Sequence, residues 1–325
     1  MKRWPWRIGV SCAVALFAAI LTSPADAQQQ PLISVIVKDQ SAHFWQIVMA
    51  GAKAAGADLG VKIVLSSGTS ERDVDGQIKL LRDAVANNAA AIVVAPTQYT
   101  ALGPAVDEAA KHVPVVVIDS GVASLNMKST LATDNVAAGR LAADAMADAL
   151  AKRYQAASGE VAIINFLPGV ETLVGRSKGF KDQLFSKYPK MTVIEEQNGD
   201  GTDASIKSIV QVILKNRPNL RGIFASNINT AQVVANAIKA ANLAENIKVV
   251  GFDSSQELID RLADGTIVGL IVQDPYRMGY EGVKTAFEVT KGRGVLQSVD
   301  TGATLITREN MNGETEKRLL SPPTD

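Results

Sequence analysis

Cysteine is nearly absent. The one copy, Cys12, sits inside an apolar N-terminal run, so neither a disulfide framework nor a cysteine-based metal cluster is available. A domain with an adequate core needs neither. Histidine is almost as scarce: His43 and His112 are the only two, which removes histidine-rich metal sites and repeated Ser-His-Asp sets. Aromatic residues make up 5% of the chain while alanine is abundant, a composition suited to helices packed closely on sheets. Neither sign of charge dominates. Setting aside Lys2, Arg3, Arg7 and Asp26 of the N-terminal segment leaves 30 basic and 32 acidic residues, a balance with no electrostatic footprint for nucleic acid.

Long apolar runs are missing too. Ile8 to Leu21 is the most apolar stretch, and it is too short for a comfortable membrane span of ~20 residues. It follows the basic start Lys2, Arg3 and Arg7 and precedes the small-x-small triplet Ala25-Asp26-Ala27, the layout of a secretory signal peptide. Residues 1–27 are therefore expected to be removed, leaving an exported, periplasmic chain from about Gln28. Its nearly 300 residues suggest two domains at ~150 residues each.

Several chemical signatures are absent. No Gly-rich phosphate loop ends in Gly-Lys-Ser/Thr, no G-x-G-x-x-G follows the first strand, and no nucleophile elbow occurs. Carboxylate pairs such as Asp107-Glu108 and Glu195-Glu196 read as solvated helix faces. No catalytic constellation, metal site or cofactor is expected.

What the chain does have is alternation. Short apolar, β-branched runs at Leu32–Val37, Val61–Leu65, Ala91–Val94 and Val115–Ile118 are separated by helical patterns, for instance Phe44, Ile47, Val48, Gly51 and Ala55 on one face. After a break at Ser129–Asn135 the pattern restarts, with strand runs at Val161–Asn165, Met191–Ile194, Gly222–Ala225, Val249–Phe252 and Ile267–Val272. A last helix is expected over Tyr276–Thr290, then a short strand and coil from Gly302. Strands that are apolar throughout, alternating with amphipathic helices, predict an α/β architecture of parallel sheets covered on both faces. No low-complexity linker separates the halves, so several short connections would form a hinge.

In open α/β sheets, ligands bind beyond the carboxyl ends of the strands. The residues delivered there are Lys38, with Phe44 and Trp45 at the next helix start, then Asp119, Asn227, Asp253 and Gln273; Arg176 lies on the helix after Asn165–Gly169. Planar Asp, Asn, Gln and Arg groups can pair with two neighbouring hydroxyls, and aromatic rings can cover a C–H face. This is the chemistry of sugar recognition. Each residue also has a structural reading: Asp119 and Asp253 as turn caps, Asn227 as a helix N-cap, Phe44 and Trp45 as core, Lys38 as a surface residue at a strand end, and Gln273 as a linker.

The chain resembles the periplasmic sugar-binding proteins of ABC importers, the ribose-binding group, over about Ile33 to Leu305. The motifs that carry the resemblance are His43-Phe44-Trp45 with Gly51-Ala52, Val115-Val116-Val117-Ile118-Asp119, Thr133-Asp134-Asn135 with Gly139, Arg176-Ser177-Lys178-Gly179-Phe180, Val250-Gly251-Phe252-Asp253, and Gln273-Asp274-Pro275 with Gly279. It implies a type I periplasmic binding fold: two similar doubly wound parallel-sheet lobes joined by a three-crossing hinge. The lobes would be residues 31–133 plus 274–301 and residues 134–273 plus 302–325, with crossings at Thr133-Asp134, Gln273-Asp274 and Asp300–Gly302. It also implies ligand contacts at Phe44, Trp45, Asp119, Arg176, Asn227, Asp253 and Gln273, a monomer, and an ABC transporter permease as partner. A periplasmic sensor feeding a chemoreceptor or histidine kinase would carry the same site.

The departures bear on the ligand. Lys38 replaces a small hydroxyl residue, Ala42 and Ala95 stand for asparagines, Ser120 for an arginine, and Gly201 falls near the place of a second-lobe aromatic. Lys38 resembles the lysine of allose-binding-type members, which implies an aldose other than ribose, a deoxysugar or a polyol. Asp119→Ala and Arg176→Ala are each expected to weaken binding sharply and leave the fold intact.

Overall fold

The computed structural model describes residues 1, 2 and 30–324; the apolar run with Cys12 and the triplet Ala25-Asp26-Ala27 lie outside the described residues. In chain order the elements are β1 (Leu32–Val37), α1 (His43–Leu59), β2 (Lys62–Ser67), α2 (Val74–Ala86), β3 (Ala91–Val94), α3 (Gly103–Ala110), β4 (Val115–Ile118), β5 (Ser129–Ala132), α4 (Asn135–Tyr154) and β6 (Gly159–Asn165). There follow α5 (Glu171–Lys187), β7 (Met191–Asn198), α6 (Asp203–Asn216), β8 (Leu220–Ala225), α7 (Ile228–Ala240), β9 (Lys248–Phe252), α8 (Gln256–Ala263), β10 (Ile267–Gln273), α9 (Pro275–Thr290), β11 (Ser298–Asp300), β12 (Ala303–Ile306) and α10 (Glu314–Leu320).

The strands form two six-stranded sheets of one plan, β2-β1-β3-β4-β5-β11 and β7-β6-β8-β9-β10-β12. Every pairing is parallel except β10 with β12. The central strands are apolar on both faces because helices cover both: β3 and β4 are buried at every residue. In the first lobe α1 and α9 lie together on one face and α2 and α3 on the other; in the second, α4 and α5 face α6, α7 and α8.

Three expectations change. The break at Ser129–Asn135 holds a fifth strand, β5, whose polar positions Ser129 and Thr130 mask the apolar signal. The coil expected after the final strand contains α10. Glu195 and Glu196 lie on β7, not on a helix, and pair with Arg217 and Lys181.

The chain passes between the sheets three times, after β5, β10 and β11, and the first and third crossings are tied together. Thr133 Oγ1 donates to the Gly302 carbonyl at 3.1 Å, and the Asp134 and Gly302 amides both donate to Asp300 Oδ1. The paired helices approach through glycines. A Cβ on Gly139 would collide with the Arg176 carbonyl oxygen, and one on Gly179 with that of Val136; Gly51 and Gly279 stand in the same relation to α9 and α1. Backbones can come this close only where no side chain intervenes. In the second lobe this contact sets the height at which α5 carries Arg176.

Candidate functional site

The eight residues singled out from the sequence converge. Lys38, Phe44, Trp45, Asp119, Arg176, Asn227, Asp253 and Gln273 line one cavity between the lobes, at the carboxyl ends of both sheets. Larger hollows lie elsewhere, one floored by α4, β10 and β12 and one between α2 and α3. The interlobe cavity is distinguished by its buried, convergent polar groups.

Asp119 and Asp253 occupy equivalent places. Each follows a central strand (β4, β9), each has a left-handed backbone (φ 65° and 66°), and each amide donates to the next strand, at Leu131 and Ile271. Non-glycine residues in this region cost ~1 kcal/mol, a strain that turns both carboxylates into the cleft. Neither caps a helix. Asp119 Oδ2 accepts from Lys38 Nζ and from Ser120 Oγ, each at 2.7 Å, while Lys38 Nζ also donates to Ser120 Oγ. Lys38 is therefore not a surface residue: it is 4% exposed and ion-paired inside the first lobe. Asp253 Oδ1 accepts from Gln273 Nε2 at 2.8 Å.

Arg176 is held from three sides. Its Nε donates to Asn135 Oδ1 and its Nη1 to the Ser226 carbonyl, both at 2.8 Å, and its guanidinium lies 3.6 Å from the centre of the Phe252 ring. Burial pushes its pKa down, opposed by the charges of Asp253 and Asp119. Asn227 caps α7 by accepting from the Thr230 amide, so its structural reading holds while its side chain still lines the cavity. Phe44 and Trp45 meet edge to face at 4.9 Å and belong to the first-lobe core as well as to the cavity wall.

Two contributors escaped the sequence reading, and Gly201 has a role of its own. Glu71 accepts from Trp45 Nε1 at 2.7 Å and faces the cavity; it lies just past the end of β2, where the strand-end rule would have found it. Phe166, directly after β6, supplies a second-lobe aromatic. Gly201 explains itself at the mouth: its positive φ and bare Cα admit the Arg72 side chain from the opposite lobe. There Arg72 Nη1 donates to the Asp200 carbonyl at 3.1 Å and Gln98 Nε2 to that of Pro168 at 3.3 Å, so the lobes meet at their lips.

Several inward-facing atoms make no hydrogen bond among the described residues: Asp119 Oδ1, Asp253 Oδ2, Glu71 Oε2, Arg176 Nη2 and Asn227 Nδ2. None is sealed away from accessible space. They form acceptors and donors from both lobes around a small gap, as a polyhydroxylated molecule requires.

Burial pushes the Asp253 carboxyl up to about 6, against the opposing pull of Arg176 and the Gln273 amide. A raised carboxyl pKa favours the fold fully below its ordinary value of 3.8, and that contribution is lost as pH rises through about 6. Affinity for a hydroxyl-donating ligand runs the other way, since the donor prefers the carboxylate. Affinity should be greatest above pH 6 and fall by up to ~10-fold per pH unit below it. Calorimetric titrations from neutral pH down to about 5 check this, with Asp253→Asn expected to flatten the profile; a flat wild-type profile would contradict it.

A family model described as a periplasmic binding protein domain matches residues 33–294. The chain belongs to this family. Among solved periplasmic binding proteins it is similar to a carbohydrate transporter solute-binding protein from Agrobacterium radiobacter in complex with D-arabinose. That match has 45% identity and a TM-score of 0.89, and covers 91% of this chain and 100% of the other. It is also similar to an ABC transporter solute-binding protein from Agrobacterium vitis with bound D-fucose, at 32% identity and a TM-score of 0.83, covering 89% and 100%. The ribose import binding protein of Haemophilus influenzae is 29% identical over 88% of this chain and 94% of its own length.

Proposed function

We propose that this periplasmic binding protein is a transport receptor: it captures a neutral monosaccharide-like ligand, an aldose, deoxysugar or polyol, between its lobes and delivers it to an ABC transporter permease. The observation that carries this reading is the ring of unpaired planar hydrogen-bonding groups, contributed by both lobes, around one cavity. Relatives in complex with D-arabinose and D-fucose support the sugar class. The lobes are taken as residues 31–133 plus 274–301 and residues 134–273 plus 302–325, with the tied crossings as hinge. The chain is read as exported, monomeric and without catalysis.

The cavity of ≈ 50 Å³ has room for one or two waters at ~30 Å³ each, so a sugar enters only after the lips part. Closure is then favoured by the contacts that the ligand makes with both lobes at once. The test is thermal unfolding of the purified protein with monosaccharides and polyols. A ligand at ~100 times its Kd adds ~2.7 kcal/mol of stability, a clear rise in Tm. No shift with any member would overturn the sugar reading.

A further inference from the structure

The five charged side chains of the cleft are unequal in number: Lys38 and Arg176 against Glu71, Asp119 and Asp253. Two of the carboxylates are locally matched, Asp119 by Lys38 at 2.7 Å and Asp253 by the Gln273 amide and the field of Arg176. Glu71 has no cation within ion-pair distance among the described residues, and its one hydrogen bond comes from the neutral indole of Trp45. The indole is itself buried, at 2% exposure, so it fixes Oε1 and leaves Oε2 turned to the cavity.

Hydrogen bonds brace the loop that carries Glu71. Asp73 accepts from the Thr69 amide and hydroxyl and from the Gly76 amide. The next residue, Arg72, is the one whose guanidinium reaches Asp200 across the mouth. The contact that joins the lobes at the mouth thus lies one residue from Glu71. Burial pushes the Glu71 carboxyl up and the charge of Lys38 opposes that; with no cation at ion-pair distance, its carboxylate can be satisfied by a ligand hydroxyl but not by a ligand anion.

Resting on the sugar-receptor reading above, we infer that Glu71 is a specificity-determining residue, which accepts a hydroxyl of a neutral sugar beside the Trp45 indole and rejects sugar acids. The class admitted is uncharged pyranoses with a hydroxyl at that edge. The class refused is their carboxylate and phosphate derivatives.

Glu71→Gln tests this, because the amide oxygen still accepts from Trp45 Nε1 and only the charge and one acceptor are lost. The probes are D-arabinose, D-fucose and D-galacturonate, the last carrying a carboxylate where D-fucose carries a methyl group. The wild type should bind at least one of the two neutral sugars and exclude the acid. In the variant, affinity for that neutral sugar should fall ~10-fold or more, and the neutral-to-acid ratio should fall ~10-fold or more, with an unchanged apo Tm. A variant matching the wild type in affinity and ratio overturns the inference alone. A wild type that binds D-galacturonate as well as the neutral sugar also overturns the inference and leaves the receptor reading in place. A wild type that binds neither neutral sugar overturns the inference, and one that also binds no other monosaccharide or polyol removes the receptor reading with it.

Discussion

Asp119→Ala should abolish high-affinity sugar binding and also destabilise the protein. The sequence reading expects only the first effect; the structure adds the second. Asp119 is the counter-ion of Lys38, and both are almost wholly buried, at 5% and 4% exposure. Removing one member of a buried pair leaves the other charge uncompensated, at a cost of ~3–5 kcal/mol in a closed interior. Because this pair borders a cavity that water can reach, about 3 kcal/mol is the expected loss in chemical denaturation. Alanine is also poorer than aspartate in the left-handed backbone at this position (φ 65°).

The double variant Lys38→Met/Asp119→Ala should recover most of that stability, since no charge is then stranded. It should not recover binding, because the carboxylate is still missing. The lost charge-assisted bonds predict a fall in affinity of ~100-fold or more in the single variant. Arg176→Ala should lose binding to a similar extent, as Asp253 loses its nearest opposing charge. Normal sugar affinity in Asp119→Ala, or equal stability of the single and double variants, would contradict this account.

Gly179→Ala, a single added methyl group outside the cavity lining, should be among the most damaging substitutions in the second lobe. Its Cβ would fall on the Val136 carbonyl oxygen, which belongs to a helix backbone and cannot swing aside. The only relief is to push α4 and α5 apart. Forced overpacking of this kind costs ~1–3 kcal/mol and occasionally more; a backbone obstacle places this case at ~3 kcal/mol, or roughly 5 °C or more in Tm. Because α5 also carries Arg176, whose carbonyl meets the Gly139 position in the same interface, ligand affinity should fall with stability. Gly294→Ala is the control: nothing lies within 4 Å of its added Cβ, and its Tm should stay near the wild-type value. Similar Tm values for the two variants would show that the close helix approach is not tight.

Much of the architecture was legible in the chain itself. Continuous apolar strand runs and helices with a 3.6-residue apolar period succeed one another, a local property of the sequence. The rule that ligands bind beyond parallel strands then led to the eight cavity residues: seven end a strand, follow one by a few positions or open the next helix, and Arg176 lies in the second turn of α5. What local pattern alone determined, then, was the α/β class, the two-part organisation and the candidate binding residues.

Tertiary structure decided the rest. β5 and α10 are held by long-range packing, and their own residues signal them weakly. Which charge meets which was invisible: Lys38 and Asp119 are 81 residues apart, and Trp45 and Glu71 are 26 apart. Side chains so distant in the chain meet only after sheets and helices have packed, and burial then sets both their pairing and their protonation. Sequence places a residue at a strand end; whether that residue is a counter-ion, a helix cap or a free acceptor depends on what the fold brings opposite it.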